Sequence, residues 1–178
     1  MRRTAQARAA RALADTVDVF VASGYRRAGF GTLEARLEGG AIPLQASLRP
    51  RGRVFGGAYG LELATADAVL PATRGLRGRG RGVVRLSGVS FRARPGDAAG
   101  RRVAAQLEAD GALAAALRDV HFEEIRIDPD GRPVIRHMGG SVVWLLFPPF
   151  VRATPLVPEQ AKASAEALAA FARAGRGL

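Results

Sequence analysis

The chain has no cysteine and no asparagine, and only one lysine, one tryptophan and two histidines among its 178 residues. The missing cysteines exclude disulfides, thiolate metal sites and cysteine nucleophiles, while leaving the redox compartment open. Aromatic residues make up 6% of the chain, so few rings are present to stack on nucleic-acid bases. Long apolar runs are missing too. The longest, residues 142–147 continuing through Pro148, Pro149, Phe150 and Val151, carries two prolines and falls short of the roughly 18 residues that span a bilayer. Arg8, Arg11, Asp15 and Asp18 interrupt the segment in which a secretory signal needs unbroken apolar residues. The expectation is a cytoplasmic chain with no transmembrane segment.

What is abundant is arginine. It supplies 26 of the 27 basic residues, a usage typical of GC-rich coding sequence, so arginine in place of lysine says little by itself about phosphate recognition. The distribution of charge says more. Residues 1–107 hold 19 arginines against 7 acids, a net +12, whereas residues 108–178 hold 8 basic against 9 acidic residues, a net −1. Such asymmetry points to an anionic partner: nucleic acid, an acidic protein or an acidic lipid surface. Hydrophobic content of 48% and charged content of 24% are those of a globular protein, and the length suits one domain over residues 1–178.

Ala10, Leu13, Ala14, Val17, Phe20 and Val21 recur at helical spacing before Gly24, predicting a helix over about residues 4–23. A basic strand and loop region follows over residues 30–95: a strand at 30–38, a return strand at 42–48 after Gly39-Gly40, a third from Arg53 to Ala64, and a further strand resuming at Val83 with a bulge at Ser87-Gly88. Asp97 is a good N-cap after Pro95-Gly96, and Asp110-Gly111 divides the helical residues 97–118 into a pair. Strands are predicted over 121–128, 132–138 and 141–147, the last ended by Pro148-Pro149, and a C-terminal helix over about 159–173 with Ala161, Ala165, Leu168 and Ala172 on one face. This order defines an α+β domain: a largely antiparallel sheet of about six or seven strands with N-terminal, central and C-terminal helices packed on it.

Three segments carry candidate sites. The first is residues 74–86, "RGLRGRGRGVVRL". In an extended backbone Arg77, Arg79, Arg81 and Arg85 point to one side, with Arg74 just before them, and Arg49, Arg51 and Arg53 repeat the spacing earlier. Two such ladders side by side would bind phosphates without sequence preference and with strong salt dependence. Glycine at alternate positions argues the other way, for a hydrated loop, because it weakens a strand and raises the entropy lost on ordering. The glycine spacing matches neither a dinucleotide fingerprint nor a phosphate-binding loop.

The second segment is residues 121–138, "HFEEIRIDPDGRPVIRHM". Asp128-Pro129-Asp130-Gly131 suits a three-residue hairpin loop, which pairs Ile125 with Ile135, Glu124 with Arg136, Glu123 with His137 and Phe122 with Met138. That register would gather His121, Glu123 and His137 on one face, an arrangement able to bind a metal or to act as an acid-base pair. A surface ion pair is the simpler expectation for the same residues. No metal or other cofactor is expected from the remaining sequence. The third segment, residues 139–150, places Trp144, Phe147 and Phe150 in an apolar strand that is either core or the lining of a lipid or partner groove.

These observations favour a non-catalytic binding or scaffold module with a basic surface. A carrier of an apolar ligand or a membrane-surface protein is the alternative, followed by a small enzyme built on the His/Glu residues.

Overall fold

The structure, a computed structural model, describes residues 2–53, 55–81, 88–147 and 149–178, without the side chains of Arg2, Arg3, Arg53 and Arg81. Helix α1 (Arg2–Ala22) leads into strands β1 (Arg26–Phe30), β2 (Glu34–Glu38), β3 (Leu44–Arg53), β4 (Gly56–Thr65), β5 (Leu76–Arg81) and β6 (Gly88–Ala93). Helices α2 (Ala98–Ala109) and α3 (Gly111–Leu117) follow, then β7 (Phe122–Ile127), β8 (Pro133–His137), β9 (Ser141–Leu145), β10 (Phe150–Thr154) and helix α4 (Pro158–Gly175). The protein is an α+β domain with N-terminal, central and C-terminal helices on an antiparallel sheet.

The ten strands of the described residues join one sheet, eight of them in the order β1-β2-β3-β4-β8-β7-β5-β6 and β9 and β10 off that path. β4 is shared: residues 62–64 pair with β8, and residues 56–59 pair with β9, which carries β10 on its far side. The sheet therefore forks where Gly139 and Gly140 separate β8 from β9. Gly140 sits at φ 68°, and a Cβ there would run into the Leu61 side chain, so the fork needs glycine.

The helices cover one face. In α1, Ala5, Ala9, Leu13 and Val17 recur every four residues and are fully buried, and Phe20 ends the row against Tyr25 in an edge-to-face pair 5.6 Å apart. α4 presents Ala161, Ser164, Leu168 and Phe171, with Ala165 and Ala172 at the margin of that face rather than in it. Leu44, Leu61, Leu63, Ile125 and Ile135 meet these helices from the sheet. No helix among the described residues lies over the other face of the sheet.

Several boundaries differ from expectation for local reasons. Residues 30–38 are two strands, because the chain turns at 31–33, where the Gly31 amide bonds to the Glu34 carbonyl at 2.7 Å. Arg53 ends β3 rather than opening the next strand. β9 ends at Leu145, short of the predicted 147, and the chain returns as β10 against it; Pro148, expected to help end the strand, lies outside the described residues. These extra turns raise the strand number above the six or seven expected. The bulge predicted at Ser87-Gly88 lies largely outside the described residues.

Candidate functional site

The arginine and glycine stretch is a strand through Arg81, and its alternation is built for two different faces. Arg77 and Arg79 project from the open face, opposite Arg92 and Ser90 of β6. Gly78 lies on the covered face, where a Cβ would come within 2.8 Å of the Phe91 ring and 3.1 Å of the Val89 side chain. Phe91 in turn packs edge-to-face on Phe171 of α4, at 6.1 Å. Glycine here is thus a packing requirement, which corrects its reading as a loop former. Arg85 lies outside the described residues.

Arg77, Arg79, Arg92 and Ser90 surround a cleft of about 240 Å³ on the open face. Arg77 stands directly opposite Arg92 on one side and Arg126 on the other, an arrangement of like charges that opposes strand pairing unless something anionic or water intervenes. Its nearest carboxylate is Glu124, at 3.8 Å. Arg79 and Arg92 have no carboxylate within 4.0 Å among the described residues. Arg74 belongs elsewhere: it precedes the strand, and its amide bonds to Asp97 Oδ2 at 2.8 Å. Asp97 caps α2 by accepting from Gly100 at 2.8 Å, and these backbone hydrogen bonds, from Gly100 and then Arg74, hold its carboxyl below the usual range.

At the centre of the same face the arginines are neutralised. Glu62 on β4, with only 5% of its side chain exposed, accepts from Arg126 at 2.8 and 3.0 Å and from Arg136 at 2.9 and 3.2 Å. Arg136 also bonds Glu124 at 2.6 Å, and Arg126 bonds Asp128 at 2.8 Å. Burial alone would push the Glu62 carboxyl up, but its hydrogen bonds and charge interactions with Arg126 and Arg136 outweigh that and hold it below the ordinary glutamate value. Arg126 is correspondingly held charged.

The earlier ladder also lies on the open face, since Arg49 and Arg51 alternate with residues that face the helices; the Arg53 side chain lies outside the described part. Arg51 reaches across Gly60 and bonds Glu123 at 2.7 Å; a side chain at position 60 would stand about 3.5 Å from its guanidinium. Part of the charge excess of the first 107 residues is therefore balanced by acids of the remainder.

The predicted hairpin register holds at Ile125 with Ile135 and at Glu124 with Arg136, and then fails. A bulge at Glu123 places Phe122 opposite His137, and Met138 instead donates to the His121 carbonyl at 3.0 Å. Glu123 consequently turns to the open face and Arg51, while His137 is buried beneath α4, 2% exposed. His121, Glu123 and His137 do not assemble, and no group of three metal-ligating side chains occurs among the described residues.

His137 has a structural environment instead. Its Nδ1 accepts from the Gly139 amide at 2.8 Å, so Nε2 carries the proton and faces Gln160 Oε1 at 3.2 Å. Gln160 also accepts from the His121 amide and donates to the Asp119 carbonyl, each at 2.8 Å, fastening this loop to α4. Burial lowers the His137 pKa, and the neighbouring His121 adds to that. A histidine with a depressed folded-state pKa binds its proton more readily when unfolded, so folding stability should fall as pH drops below the ordinary histidine value of about 6.5. Urea midpoints between about pH 7 and about pH 5 check this, and His137→Gln should flatten that part of the profile.

The three apolar candidates also part company. Trp144 is 8% exposed and packs on the helix side over Gly57. Phe147 and Phe150 are exposed, at 80% and 39%. A separate cleft of about 390 Å³ at the β1–β2 edge involves Phe30, Glu34, Arg36 and Gln45, and its arginine is already paired with Glu38 at 3.3 Å. Sequence reasoning missed Ser90 and Arg92. Their signal was the phase of Val89 and Phe91, which sends Ser90 and Arg92 to the opposite face.

Fold and site together define an α+β domain with one helix-covered face and one open face rich in arginine. The chain belongs to the family described as "Protein of unknown function (DUF3156)", whose model matches residues 20–174. No curated protein and no solved structure gives a significant match.

Proposed function

We propose that the protein is a non-catalytic binding module that holds an anionic partner against the open face of its sheet. The observation that carries this is the cleft ringed by Arg77, Arg79 and Arg92, three cations on adjacent strands with Ser90 as a neutral hydrogen-bonding group among them. Arg49 is a separate cation on the same face, on β3, with β4, β8 and β7 between it and the cleft. A sheet scaffold fixes these side chains more firmly than a loop would, reducing the entropy lost when an anion binds. β5 and β6 present no aromatic side chain on the open face, since Phe91 faces the helices, which favours recognition of charge over recognition of bases.

Retention on heparin across a salt series tests the proposal. The wild-type protein should elute late, and changing Arg77, Arg79 and Arg92 together to serine should lower the slope of log affinity against log salt by about two to three. Unchanged retention of that variant would remove the cleft from consideration.

A further inference from the structure

We infer that the anionic partner is a lipid surface, entered by the apolar end of the open face; this rests on the reading of that face as anion-binding. At the forked end of the sheet, the β3–β4 turn exposes Phe55 to 67%, and the β9–β10 turn exposes Phe147 to 80% and Leu146 to 38%. The two turns are joined, since the Leu146 amide donates to the Phe55 carbonyl at 2.9 Å. Phe150, opposite Leu145, and Val143, opposite Ala58, continue the apolar surface onto the open face.

Arginine borders this patch. Arg152 pairs across from Val143 on β10, and Arg49 and Arg51 lie two strands away on β3. The apolar side chains stand out from two adjacent turns, so they suit an acceptor that needs no matching pocket. A fluid bilayer interface is such an acceptor, taking apolar side chains about 5–10 Å deep while flanking arginines meet anionic headgroups. Charge complementarity selects an anionic leaflet over a neutral one. No helix among the described residues is long and apolar enough to cross a membrane.

Flotation of the full chain with phosphatidylglycerol vesicles, with phosphatidylcholine vesicles and with no lipid tests this, alongside heparin retention. Binding is expected to the phosphatidylglycerol vesicles alone. The variant F55S/F147S should lose that binding by about tenfold or more for each phenylalanine, while keeping its heparin retention. Both side chains are exposed, so the variant should fold, and an unchanged circular dichroism melt would verify it. Heparin retention without vesicle binding overturns the lipid inference and leaves the anion-binding reading standing. Vesicle binding that F55S/F147S does not weaken, or preference for a duplex oligonucleotide over vesicles, overturns the inference as well. Failure to bind either heparin or vesicles removes both readings.

Discussion

Replacing Glu62 with alanine is expected to destabilise the protein by about 3 kcal/mol, measured as a lower urea midpoint at unchanged slope. The carboxylate is buried between two guanidinium groups, and its loss leaves both cations facing each other across a site that water reaches poorly. The figure sits at the low end for a broken buried pair because Arg126 keeps Asp128 and Arg136 keeps Glu124. The same carboxylate sets an acid limit. Its folded-state pKa is depressed, so its contribution is complete above the ordinary glutamate range and is lost as pH falls through that range and below. Glu62→Ala should therefore lose less stability on acidification than the wild type does. A variant equal to the wild type in midpoint would mean that the guanidinium groups find solvent without rearranging the sheet.

Gly78→Val should cost about 3 kcal/mol despite placing a good strand former in a strand. The added atoms enter space that Phe91 and Val89 already occupy, and Phe91 cannot retreat without losing its contact with Phe171. Gly88→Ala provides the control. Among the described residues no atom lies within 4 Å of a Cβ at that position, so the change should stay within about 0.5 kcal/mol of wild type. Thermal or urea unfolding of the two variants distinguishes a packing requirement from a general intolerance of side chains in these strands.

The same two regions show what could be read from the sequence. The hairpin around Asp128–Arg132 was legible because turn chemistry and alternation are local, and both are written within a dozen residues. Its failure at Glu123 has an equally physical cause. A bulge adds one residue to one strand, and here it is favoured by partners far along the chain, Arg51 for Glu123 and Gln160 for His137. Neither partner is visible from the hairpin itself. The arginine and glycine strand misled in the opposite sense. Its alternation was plain, but the reason for its glycines lies in the bulk of Phe91 on the neighbouring strand.

The helices were the most legible elements, since α1 buries an unbroken row spaced by four residues. Charge was legible only as a total. Which arginines are neutralised depends on strand order, and β4 lies beside β8 although about seventy residues separate Glu62 from Arg136. Strand order also decides that Trp144 and Phe147, three residues apart, belong to the interior and to the surface.

The sheet is open, and an open sheet has borders at which a foreign strand could add. Here β1, β6 and β10 are those borders. β1 is exposed along its whole length, yet it carries Arg26 and Arg27 and loses its regular ladder at a bulge between Arg27 and Gly29. On β6 the Phe91 amide is already taken by Glu108, and on β10 the Val151 carbonyl is taken by the Arg8 guanidinium. A second copy approaching any of these edges meets arginine or an occupied backbone group, the features by which natural sheets resist edge-to-edge aggregation. Arginine thus guards two of the three edges, directly on β1 and through Arg8 on β10.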